Sequence, residues 1–139
     1  MMKVCKISLI IICLLAGASL SKLSAQQSLK NWLTKCEGIS TVDMTVINYK
    51  NPETKKEERK TIKVTFSNNE ALLKDLLNAF EQDKKNAYNV SEKRSKGVVH
   101  PDFCRFNEKG FDTRYLFEFK SNGEVIVTAQ FFYVEEQGG

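Results

Sequence analysis

The sequence predicts an α+β fold, a two-layer sandwich with two helices on one face of a mainly antiparallel sheet of five to six strands. Three observations predict it. Two segments place apolar side chains at helical spacing, several others alternate apolar and polar residues with period two, and the later strands are joined by short turns. Short turns join neighbours antiparallel, so the order reads α-β-β-α-β-β-β-β.

The first helix rests on Leu29, Trp32, Leu33 and Cys36, at i, i+3, i+4 and i+7, with Gly38 as its stop. Val42, Met44 and Val46 then alternate with Asp43 and Thr45 in a strand over residues 41–49. A second strand over 59–66 turns Ile62, Val64 and Phe66 inward. The polar stretch 50–58 between them, of mixed charge and containing Pro52, reads as a solvated hairpin tip. Ser67-Asn68-Asn69-Glu70 has the form of a capping box, with Ser67 as cap. The helix after it carries Leu72, Leu73, Leu76, Leu77 and Phe80 on one face and ends near Lys84 or Lys85, where cations suit the carbonyl end of the dipole.

Tyr88 and Val90 start another strand, which ends in the charged turn 92–97. Val98 to Phe106 is a strand interrupted by Pro101, which argues for a sheet edge or a bulge. Residues 111–120 and 124–134 are long and rich in aromatics. Nine of the 14 aromatic residues lie at or beyond Phe103, so these strands carry much of the core. The turn between the last two can be set by pattern. A three-residue turn with Gly123 at positive φ aligns Phe119 with Val125, Phe117 with Val127 and Tyr115 with Ala129. A two-residue turn would mismatch these faces, because one step of slip exchanges buried and exposed sides.

Residues 1–25 read as a secretory signal. Lys3 and Lys6 precede an apolar run of 14 residues from Ile7 to Leu20, and Leu23-Ser24-Ala25 supplies a small residue at the cut. A membrane-crossing helix needs about 20 apolar residues, so the run is too short to stay as an anchor. The expected mature chain, 26–139, is one α+β domain in the periplasm or outside the cell, not membrane-spanning once the signal is removed. The chain carries +4 from 21 Lys+Arg and 17 Asp+Glu, but three of the lysines lie in the signal, so the remainder carries only +1. A protein that lives on phosphate contacts needs a basic excess, so no nucleic-acid partner is expected.

Catalytic templates are absent: there is no GxSxG, GxGxxG, P-loop lysine motif, HExxH or calcium-loop spacing. His100, Asp102 and Cys104 alternate, but they lack a fourth ligand and a second histidine, and on a strand they span about 13 Å. The bland reading is an exposed His on a Pro-interrupted strand. No metal, cofactor or catalytic residue is therefore expected. Two cysteines follow the signal, Cys36 and Cys104. In an exported protein they are candidates for a disulfide. The alternative is two buried thiols, since Cys36 lies on the apolar stripe of the first helix.

The segments DMTVINYKNPETKKEERKTIKVTF, LLNAFEQDKKNAYNVSEKR and FCRFNEKG, with the signal, resemble small exported proteins of Bacteroidetes assigned to domain-of-unknown-function families. The resemblance covers most of residues 27–134. It implies a small α+β domain of the envelope with no assigned activity, and no residue role comes with it.

The leading expectation is a non-enzymatic binding module for a protein or ligand of the envelope. The alternative is a small hydrolase or carbohydrate-active enzyme whose site forms only in the fold, marked by a deep pocket lined by two carboxylates or by a shifted carboxyl titration in one. The sheet itself offers a candidate surface. Alternation leaves Ile47, Tyr49, Leu116, Ile126, Phe132 and Val134 on the side away from the core. Leu116, Ile126 and Phe132 on the last two strands are expected to form part of a patch for self-association, as a homodimer, or for a partner.

Overall fold

A computed structural model describes residues 25–108 and 110–133, so the signal through Ser24 and Val134 lie outside the described residues. Helix α1 (Gln27–Glu37) leads into β1 (Asp43–Lys50) and β2 (Glu57–Phe66). Helix α2 (Glu70–Asp83) and a 3₁₀ turn (Lys84–Asn86) precede β3 (Asn89–Ser95), β4 (Val98–Glu108), β5 (Phe111–Phe119) and β6 (Val125–Tyr133). The strands form one six-stranded sheet in the order β1-β2-β6-β5-β4-β3, antiparallel throughout. The fold is α+β.

The order follows from where α2 sits in the chain. β1 and β2 form a hairpin, and α2 then separates β2 from β3, which takes the far edge. From there β3 to β6 run back strand by strand until β6 meets β2. Edge strands are therefore β1 and β3. Pro101 does mark a bulge, between Ser91 and Glu92 of the partner strand, but β4 lies between β3 and β5 and is no edge. Its pairing with β5 begins only at Phe103, so the missing proline N–H costs no ladder bond on that side.

The apolar stripes close on one core. Leu29, Trp32, Leu33 and Cys36 of α1 and Leu72, Leu76, Ala79 and Phe80 of α2 are buried in one cluster with Val64, Phe106, Tyr115, Phe117, Val125 and Val127 of the sheet. Trp32 packs against Phe66, with ring centroids 6.0 Å apart, and its Nε1 donates to the Leu72 carbonyl at 3.1 Å. Phe80 meets Phe117 edge-on at 5.4 Å.

Local chemistry differs from the sequence reading at the helix ends. Asn69, not Ser67, caps α2: its side chain accepts from the Leu72 amide at 3.0 Å. Asparagine is as strong a cap as serine, and starting at Glu70 brings Leu72 and Leu76 onto the core. Gly38 does end α1, but at φ −88°, without using the left-handed conformation that glycine permits. The last hairpin follows the three-residue turn. Phe119 faces Val125, Lys120 donates its amide to the Glu124 carbonyl at 2.9 Å, and Gly123 has φ +87°.

Candidate functional site

The register sorts every strand residue onto one of two faces, since facing residues of an antiparallel pair share a side. Ile62, Val64, Phe117, Val127 and their neighbours make the core face. On the opposite, outer face one row runs Thr45, Lys63, Thr128, Leu116, Phe103 and Ser91. Leu116 is 42 % exposed, while Phe103 and Ile126 are half-buried. Ile126 is two residues from Thr128, which faces Leu116, so it is a diagonal neighbour of Leu116, within reach of contact.

Phe132 is on the same face but elsewhere. It lies four residues beyond Thr128, roughly 13 Å along the strand. The structure thus joins Leu116 and Ile126 with Phe103, and sets Phe132 in a second cluster. There the Arg114 guanidinium lies over the Phe132 ring, 4.8 Å from its centroid. Asp112 faces Phe132 across β5–β6 and accepts two hydrogen bonds from Arg105, from Nε at 2.9 Å and from Nη2 at 2.5 Å. The Arg105 fork holds the Asp112 carboxyl below its usual range, and Asp112 in turn raises Arg105. Two further stacks complete the set: Arg105 over Tyr88 at 5.1 Å, and Arg59 over Tyr49 at 5.4 Å. Arg114 Nε is buried without a hydrogen-bond partner among the described residues.

These arginines were missed in the sequence. Their signal was present in the alternation of β5, where Asp112, Arg114 and Leu116 share the face that Phe132 and Ile126 share on β6. Planar guanidinium groups over rings keep charge at the surface while their stems cover apolar area.

Other groups are structural. Cys36 and Cys104 are both free thiols in the core, so of the two readings, a disulfide or a pair of buried thiols, the structure has the second. Each packs as a small hydrophobe, Cys36 on the stripe of α1 and Cys104 facing Tyr115 of β5. Burial pushes Cys36 up to about 11, and burial with the nearby Asp83 carboxylate pushes Cys104 higher still. Thiols held this strongly protonated are poor nucleophiles. Asp83 is raised by burial, against the opposing hydrogen bonds it accepts from the Leu29 and Ser28 amides at 2.7 and 3.3 Å. It finishes the open amino end of α1. Beside it, buried Gln26 accepts from the Tyr115 hydroxyl at 2.6 Å and donates to Thr113 Oγ1 at 3.0 Å.

His100 is half-buried and stacked on Phe119 at 4.9 Å, in place of the exposed residue that the sequence suggested. Asp102, beside the bulge, accepts from the Ser91 hydroxyl at 3.0 Å and pairs with Lys93. Among the described residues no three His, Cys, Asp or Glu side chains come together as an ion site. A hollow of about 1000 Å³ opens to solvent at the β1–β2 tip and includes Tyr49, Glu57, Glu58, Arg59 and Phe132. Glu58 there accepts from Asn51 Nδ2 at 2.7 Å, as part of the tip itself. Among the described residues the carboxyls with displaced titration are Asp83 and Asp112, and neither lines that hollow.

Residues 26–129 match the family described as Domain of unknown function (DUF5024). The chain belongs to this family. No curated protein and no solved structure matches it. The match begins one residue before α1 and ends within β6, so it takes in both helices and the first five strands whole. Among the described residues no helix is long and apolar enough to cross a membrane.

Proposed function

We propose that this DUF5024 chain is an exported domain of the cell envelope that acts as a non-enzymatic binding module. In this reading the two helices lie together as one layer on the core face of the sheet, and the outer face is left for a partner. The partner is a protein surface offering apolar side chains and a carboxylate. One observation carries the reading: the apolar residues Phe103, Leu116 and Ile126 lie on the same outer face as Arg114, whose guanidinium is stacked on Phe132. Apolar centres rimmed by arginine and aromatic groups are the composition of interaction surfaces, and the near-neutral charge of residues 26–139 disfavours nucleic acid.

A photo-crosslinking side chain at position 116 tests the surface in envelope preparations. A discrete adduct is expected from position 116 and none from exposed Thr34 on α1. Equal labelling from both positions, or none from 116, removes the outer face from the proposal. Export is tested separately by the amino-terminal sequence of the protein in the extracytoplasmic fraction, which should begin at Gln26.

A further inference from the structure

The two edges of the sheet are built differently. β3 places Glu92, Lys93 and Arg94 side by side, has its ladder to β4 interrupted by a bulge opposite Ser91 and Glu92, and ties Glu92 to Lys84 and Lys93 to Asp102. Charge and bulges are the devices that keep an edge strand from pairing with another chain. β1 has neither from Met44 to Tyr49. These six residues are uncharged, contain no proline and hold unbroken register with β2. Val46, Ile47 and Tyr49 remain 47, 59 and 46 % exposed, although Val46 faces Ile62 on the core side. Its position at the edge, beyond the reach of the core, accounts for that exposure.

Charges indicate what pairs there. Asp43 opens β1, and Arg59 sits across from Tyr49 with its guanidinium over the ring. Neither makes an ion pair among the described residues.

We propose that β1 pairs antiparallel with β1 of a second copy about a two-fold axis through Val46, joining the two six-stranded sheets into one. A two-fold axis normal to the sheet keeps both core faces on one side. Facing residues then share a face, so their numbers must differ by an even count. Centred on Val46, the pairing sets Val46 against its counterpart, Thr45 against Ile47, Met44 against Asn48 and Asp43 against Tyr49. Asp43 of each copy thereby comes beside the Arg59 that lies over Tyr49 of the other, and two ion pairs close across the seam. Centring on Ile47 moves Asp43 two residues further from Arg59 and leaves both charges alone. The inference is independent of the outer-face reading, since it needs only the edge.

Sedimentation of residues 26–139, which contain every described element, tests it from low micromolar to near-millimolar concentration. Wild type is expected to dimerise. Asp43→Arg and Arg59→Asp should each weaken the dimer about tenfold or more, and the double exchange should restore it, because reversed charges meet again across the seam. Val46→Lys should leave a folded monomer by circular dichroism. A wild type that stays monomeric throughout overturns the proposal. So does a double exchange that fails to recover, or a dimer that withstands Val46→Lys and dissolves on Leu116→Glu.

Discussion

Tyr115 and Arg114 are neighbours on β5 and live in different physics. Tyr115 points to the core, where Phe106 meets it edge-on at 5.9 Å and its hydroxyl donates to buried Gln26. Arg114 points outward, over Phe132, with its guanidinium 3.5 Å from Asp112. On the core side water is excluded, so each polar atom brought in has to find a partner in the protein. Gln26, Thr113, Tyr115 and Asp83 answer that requirement in one connected region between α1, α2 and β5. On the outer side, water competes for the same kinds of group, and ion pairs there contribute far less. Stability is therefore held mainly by the core face.

Substitutions can break this contrast in order of size. Phe80→Ala removes a ring that packs against Phe117 and joins α2 to the sheet, and should cost about 3–5 kcal/mol in a urea unfolding series. Tyr115→Phe keeps the ring but removes the hydroxyl that donates to Gln26, for about 1–1.5 kcal/mol by the same measurement. A result near zero would mean that another donor reaches Gln26. Asn69→Ala, at the cap of α2, should cost about 1 kcal/mol, while Ser67→Ala should cost almost nothing. Equal effects would return the cap to Ser67.

The smallest effect belongs to the outer face and is best seen against pH. Asp112 has its folded pKa below the usual 3.8, so the unfolded chain binds the proton more tightly. Its stabilisation is complete above 3.8 and fades as pH falls through the lower folded value. Thermal melts of Asp112→Asn should lose that part of the acid-side slope and match wild type in shape at higher pH. An unchanged slope would show that Arg105 gives Asp112 no advantage in the folded state.

Cysteine reactivity sharpens the comparison from the core side. Cys36 and Cys104 should resist a thiol reagent in the native protein and react together when it unfolds. Rapid native labelling of either would contradict its burial.

Sequence alone determined what depends on local spacing. The stripe of α1, the apolar face of α2 and the Phe119–Val125 register all follow from periodicity and turn chemistry within a few residues. Candidate outer residues could be assigned to a side in the same way, because alternation fixes a side chain's face before its neighbours are known. Tertiary structure decided the rest. Which strands became edges depended on α2 separating β2 from β3, and this is why Pro101 marks a bulge in an interior strand. The placing of Phe132 with Arg114, apart from Leu116 and Ile126, needed the register of β5 against β6 and the reach of the arginine stem. Gln26 became a core residue through Thr113 and Tyr115, 87 and 89 positions away, and no local pattern carries a contact over that distance. The two thiols stayed unbridged for a related reason: a cysteine pair in the sequence gives no distance, and both are packed as thiols into the one apolar core.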